Sequence, residues 1–150
     1  SQLDGRMARL VGLLLASGVL AAFGLRLFNI PVPYDMATLN LSAMLPGILL
    51  VTGMEELLFR QVMYRWLEQR RVSGRLLVLA TALAFACAHF GPLVTHTSAL
   101  QTFVLLQSFY MAWVGWLLGE TRRVTNSWLM SWAGHGCYNL LVLTTLKFLS

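Results

Sequence analysis

From Leu76 to Gly119 the chain runs for 44 residues without an Asp, Glu, Lys or Arg, interrupted only by His89 and His96. A helix needs about 20 apolar residues to cross a bilayer, so this run holds two crossings that turn near Phe90-Gly91-Pro92. Shorter charge-free runs occupy Leu10–Leu25, Met36–Met54 and Val124–Leu146. Charged residues make up only 11% of the chain and hydrophobic ones 57%, against roughly 25% charged in ordinary soluble domains. These values exclude a soluble globular domain, and a chain this apolar is equally unsuited to disorder. A net charge of +5 would suggest a nucleic-acid partner in a soluble protein. Here the basic residues cluster between apolar runs and act as topology signals, so the expected partner is the lipid bilayer and no nucleic acid.

The hydropathy pattern predicts helices at about 8–28, 37–69, 76–90, 99–119 and 126–148. The second is too long for one straight crossing at 1.5 Å per residue, and Pro46-Gly47 is expected to break it. The expected fold is all-α, a polytopic membrane helical bundle of about five to six transmembrane helices. It forms a single domain over 1–150 with a motif-bearing core at about 45–145. Arg6 and Arg9 precede the first apolar run as in a signal peptide, but the run is too long for one and more spans follow, so it is a true helix. The chain opens on Ser1 rather than Met, which suggests a trimmed start.

Orientation follows from the basic loops. Arg6, Arg9, Arg65, Arg70, Arg71, Arg75, Arg122 and Arg123 are eight of the eleven basic residues, and five spans place them all on one side, taken as cytoplasmic. Trp66, Trp116 and Trp128 lie close to these clusters, as an interfacial aromatic belt requires. Arg26 and Lys147 fall on the opposite side. Gly115 and Gly119 form a small-xxx-small pair that admits a close helix neighbour.

Ionisable side chains inside a membrane are costly and tend to be functional, and here they fall into three groups. Glu55-Glu56-Leu57-Leu58-Phe59-Arg60 lies mid-helix, and Glu56 and Arg60 share a face four residues apart, the geometry of an ion pair. Glu55 is turned about 100° away from Glu56 and has no local partner. The second group is Phe85 with His89, near the end of the third helix. The third is His135 with Asn139, four apart on one face, with Gly134 and Gly136 leaving room beside them. Taken singly, each has a plainer reading: a structural ion pair, a core histidine, an interhelical hydrogen bond. Three groups on three helices favour a common site. His96 falls in a loop and reads as a solvated histidine. Cys87 and Cys137 are too few for a disulfide framework and each is about 200° around the helix from a motif histidine, hence facing away from it. Tyr138 reads as a packing residue.

Together these residues resemble the CPBP intramembrane proteases, which include the CAAX prenyl endoproteases and bacteriocin-immunity relatives. That family's pattern is Glu-Glu-x-x-x-Arg, then Phe-x-x-x-His, then His-x-x-x-Asn, met here by Glu55, Glu56 and Arg60, by Phe85 and His89, and by His135 and Asn139. Thr125-Asn126-Ser127-Trp128-Leu129 also resembles the family's approach to its final motif. The resemblance implies a glutamate-dependent intramembrane endopeptidase acting on a membrane protein or lipidated peptide, in a multi-pass protein of the prokaryotic plasma membrane. It assigns Glu55 and His89 to activating water, His135 and Asn139 to the oxyanion hole, and Glu56 and Arg60 to supporting the first motif. A positioned carboxylate is a competent general base, and side-chain donors aimed at an oxyanion are each worth ~10²–10³ in rate.

No cofactor is expected. The alternative is a zinc-dependent version with Glu55, His89 and His135 as ligands, although the His-Glu-x-x-His spacing of helical zinc proteases is absent. Two further alternatives are a non-catalytic immunity or scaffold protein of the same fold, and a small transporter, which should show internal repeats that this chain lacks. Specificity would rest on a helix-lined cleft and the loop from Phe90 to Ser98, and the site is expected to open away from the Arg clusters.

Overall fold

The helix that carries the first acidic motif starts at Asn40, whose side-chain oxygen accepts the backbone N–H of Ala43 at 3.2 Å. This satisfies one of the donors that a helix start leaves unpaired. In the computed structural model, which describes residues 2–36, 38–91 and 98–150, the helix α2 (Leu41–Glu56) then passes through Pro46 unbroken. Pro46 lies in the second turn, and the carbonyl that it deprives of a donor belongs to Ser42, an exposed residue at the helix start. The expected break is therefore absent. The irregularity falls instead on Leu57–Met63, a π-helical segment of seven residues, after which α3 (Tyr64–Gln69) completes the rod.

Among the described residues the bundle has five rods rather than six: α1 (Gln2–Leu27), the α2–α3 rod, α4 (Gly74–Ala88), α5 (Ser98–Thr125) and α6 (Trp128–Phe148). Asp4–Leu27, Leu41–Gln69 and Leu100–Thr125 are long and apolar enough to cross a membrane. The 21 residues of α6 are long enough too, but His135 and Asn139 dilute its apolar character. Helix α5 overruns its expected end at Gly119 because the polar residues beyond it find partners: Arg123 pairs with Glu120 at 2.6 Å, and Arg122 turns into the bundle. His96 and most of the loop from Phe90 to Ser98 lie outside the described residues.

Polarity is inverted relative to a water-soluble protein. Leu20, Leu50, Met54 and Phe109 point outward and are 64–71% exposed, whereas Glu56, Arg60, Thr52, Thr81, Ser108 and Ser131 are fully buried. In water so broad an apolar surface would drive association; against acyl chains it is at home, and the chain is an integral membrane protein. Inside, hydroxyls bond back along their own helices, as Thr52 does to the Ile48 carbonyl at 2.8 Å and Ser108 to that of Val104 at 2.8 Å. Donors that would otherwise face hydrocarbon are thereby satisfied.

Helix α5 is the centre of the packing. A Cβ added at Gly115 would stand 3.1 Å from the Cα of Ala82, and one at Gly119 2.9 Å from Val78 Cγ1, so the small-xxx-small pair brings α4 into backbone contact as expected. Leu14, Phe59, Phe85, Met111, Leu118 and Tyr138 then form a core shared by all five rods. Cys87 and Cys137 face outward as free thiols. The turn from α5 to α6 needs one left-handed residue, and Asn126 supplies it with φ 52°, the conformation that Asn tolerates best after Gly.

Candidate active site

The site is organised around a buried carboxylate. Glu56 Oε1 lies 3.1 Å from Arg60 Nη1, one turn along the same rod, and 2.9 Å from His135 Nδ1 on α6. The i,i+4 pair expected from the sequence therefore forms, and it acquires a third member 79 residues away. Burying such charges is tolerable only when they are mutually paired. Arg60 uses a further donor on the carbonyl of Gly115 at 3.1 Å, a carbonyl made accessible by the missing side chain, and its guanidinium stands 4.4 Å from the centre of the Phe85 ring. Glu56 Oε2 and Arg60 Nε complete no hydrogen bond among the described residues.

Because a carboxylate oxygen accepts, His135 Nδ1 carries the proton in that bond. Its other nitrogen, Nε2, faces Glu55 Oε2 at 3.7 Å, too far for a direct hydrogen bond. Glu55, without a partner on its own helix, thus finds one across the bundle. The two acids differ in setting: the side chain of Glu56 is fully buried, that of Glu55 29% exposed.

His89 is set by the way α4 ends. Its backbone N–H bonds the carbonyl of Ala86 instead of that of Phe85, which leaves the Phe85 carbonyl free for the imidazole Nδ1 at 2.8 Å. A carbonyl only accepts, so Nδ1–H donates and Nε2 of the neutral ring keeps its lone pair. Phe85 stands between the two imidazoles, edge-on to His89 at 4.7 Å and to His135 at 5.6 Å between ring centres. The structure thus gathers Glu55, Glu56, Arg60 and His135 directly, and joins His89 to them through the Phe85 ring.

Asn139 stands apart from this cluster. One turn beyond His135, its side chain makes no hydrogen bond among the described residues and lines a cavity of about 680 Å³ with Val51, Tyr110 and Tyr138. Val51 is one turn before Glu55, so the cavity begins a helical turn from the Glu55–His135 pair. Its walls come from the ends of α1, α2, α5 and α6 that lie away from the Arg clusters. Tyr138, expected as a packing group, belongs to the core and also forms part of this wall.

Among the described residues no three His, Cys, Asp or Glu side chains converge as a metal-ligand set. The Phe85 ring lies between the imidazoles of His89 and His135, and His135 gives Nδ1–H to Glu56 while its Nε2 faces Glu55.

One residue of the site went unrecognised in the sequence. Arg122, expected as an interfacial basic residue, is buried at 4% exposure. It donates from Nε to the carbonyl of Arg60 at 3.1 Å and from Nη1 to Asn126 Oδ1 at 2.7 Å, over the face of Tyr64. The π-helical segment widens the turn and disturbs its regular bonding, and Arg122 clamps it. Arg122 lies on the last turn of α5 and Asn126 just beyond its end, so the pairing depends on the turn and no helical spacing in the sequence signals it.

A family model described as Type II CAAX prenyl endopeptidase Rce1-like matches residues 37–141. No curated protein and no solved structure matches the chain. Since the family match covers well over half of the sequence and takes in all three motif-bearing helices, the chain belongs to the Rce1-like family of type II CAAX prenyl endopeptidases, a family of membrane proteases.

Proposed function

We propose that this protein is an intramembrane endopeptidase that hydrolyses a peptide bond of a membrane-associated or lipidated substrate, of the kind the family's CAAX prenyl description names. The observation that carries the reading is the unequal pair of acids around His135: Glu56 buried and paired, Glu55 partly exposed and facing Nε2. Glu55 takes a proton from water, with the Nε2 lone pair of His89 as second acceptor, while the water oxygen attacks the scissile carbonyl carbon. The carbonyl π electrons move to oxygen, and His135 Nε2–H and the Asn139 amide receive the oxyanion. With Nδ1 held by Glu56, the donor form of His135 is the imidazolium, flanked by both acids. Collapse of the intermediate breaks the C–N bond, and the proton held by Glu55 passes to the leaving nitrogen. Glu56 and Arg60 hold His135 in place and touch no reacting atom.

The cavity supports entry from the membrane face opposite the Arg clusters. In a cysteine-free background, Tyr34→Cys on the cavity rim should react with an impermeant thiol reagent only from that face. Catalysis itself is tested by mapping protein termini in host membranes by mass spectrometry, wild type against Glu55→Gln at matched expression. Termini that depend on Glu55 name the substrate; identical maps alongside a deletion phenotype would leave a binding or immunity role.

A further inference from the structure

Helix α1 closes on a left-handed residue, Asn29 with φ 51°. The Ile30 N–H bonds the Leu25 carbonyl at 2.9 Å and the Asn29 N–H that of Arg26 at 3.1 Å, the paired bonds of a Schellman motif. The chain is thereby turned back beside the helix end, and Leu25, Arg26, Asn29, Ile30, Pro31 and Val32 line a recess of about 180 Å³. A single water needs about 10–15 Å³, so the recess has room for a group of phosphate size. Two of its walls are polar. The Asn29 side-chain amide makes no hydrogen bond among the described residues. Arg26 spends one donor, Nη2, on the carbonyl of Leu146 at 3.2 Å, while its Nε is buried and bonds nothing among the described residues. Nor does Arg26 form an ion pair among them.

Arg26 follows Arg6 by about 20 residues on the same helix, a rise of about 30 Å, which is the thickness of a bilayer's hydrocarbon core. With Arg6 at one interface, Arg26 therefore stands at the opposite one, at the level of the lipid headgroups. Leu20, Phe23 and Leu27 recur at i, i+3 and i+7 and are 51–76% exposed, an apolar stripe along which acyl chains can lie up to the last turn of α1. A guanidinium with unused donors and no counter-charge, at headgroup depth beside such a stripe, fits a phosphate carried on an acyl body. We propose that the recess binds the phosphate of an anionic phospholipid, with Arg26 as the charged anchor and the Asn29 amide as a second donor. Both residues lie outside the segment 37–141 matched by the family model and belong to none of the three motifs, and the site is independent of the protease reading.

The test places the full chain in nanodiscs of phosphatidylcholine alone or of an equal mixture with phosphatidylglycerol. The readout is the rise in melting temperature that phosphatidylglycerol brings within each variant, so a uniform loss of stability cancels. Arg26→Gln should lose about 2–4 °C of the wild-type rise, and Arg26→Lys, which keeps the charge without the fork, should lose less. Asn29→Gly keeps the left-handed turn and removes only the amide, and should also lose part. Lys147→Gln, which deletes a charge at the same end of the bundle, where Lys147 bonds the Leu39 carbonyl, should keep the full rise. Native mass spectrometry should find phosphatidylglycerol retained about 5-fold more by wild type than by Arg26→Gln. No rise in wild type, or a rise that survives whole in Arg26→Gln or Asn29→Gly, overturns the proposal. Equal losses in Arg26→Gln and Lys147→Gln would show a general surface charge and no site, which overturns it as well. If inorganic phosphate stabilises the detergent-solubilised protein equally, with the same dependence on Arg26, the recess takes a free anion and the lipid assignment fails.

Discussion

Gly115→Ala is a one-carbon change whose effect on the site can be worked out from the structure. The new Cβ would stand 3.1 Å from Ala82 Cα, 3.1 Å from Phe85 Cδ1 and 3.2 Å from the Ala82 carbonyl oxygen. Two of these three contacts are backbone, so α4 and α5 must part by a few tenths of an ångström or Phe85 must turn. Overpacking of this kind costs about 1–3 kcal/mol, against which Ala recovers about 1 kcal/mol of helix propensity over Gly. A net loss of at most about 2 kcal/mol follows, seen as a fall of a few degrees in melting temperature. Catalysis should suffer more. Phe85 contacts Arg60, His89 and His135, and the Gly115 carbonyl holds Arg60. Active sites tolerate only about 0.5 Å of displacement, and misplacement by ~1 Å costs ~10²-fold. We expect kcat to fall about 10- to 100-fold in detergent-solubilised protein that remains folded. Gly12, with nothing within 4 Å of an added Cβ, is the control, and Gly12→Ala should keep full activity. Wild-type kcat in Gly115→Ala, or an equal loss in Gly12→Ala, would refute the reasoning.

The two glutamates should separate stability from chemistry. Glu56→Gln breaks a buried ion pair, at about 3–5 kcal/mol, and should sharply reduce folded yield by size-exclusion chromatography, whereas Glu55→Gln should fold normally and lose ~10²–10⁴ in turnover. Arg122→Lys cannot serve the Arg60 carbonyl and Asn126 together; it should lose about 1–3 kcal/mol and speed hydrogen exchange across Leu57–Met63, and unchanged exchange would show that the clamp is idle. Dialysis against EDTA should leave peptide cleavage intact; a loss restored by zinc would return Glu55, His89 and His135 to the role of ligands.

Helix geometry makes some of this site legible in one dimension. The Glu56–Arg60 pair depends only on the rise and rotation of a single helix, and the outward stance of Cys87 and Cys137 follows from the same periodicity. The charge-free runs announce the membrane, because hydrocarbon admits no unpaired charge. Pro46 misleads at this level, since its cost depends on whether the carbonyl it orphans is buried, which the sequence does not state. Arg122 misleads for a related reason: an Arg at the end of an apolar run reads as interfacial until a distant carbonyl, here that of Arg60, is found waiting for it.

From the sequence alone came the all-helical membrane bundle, the three motif-bearing helices and the residues to suspect. Tertiary structure alone decided that His135 stands between two unlike acids, that Phe85 separates it from His89, that Arg122 clamps a π-helical segment, and that a cavity opens one turn from Glu55. Local pairings are set by the 3.6-residue period of one helix. Contacts between helices depend on their separation and relative rotation, which here turn on two missing side chains, at Gly115 and Gly119.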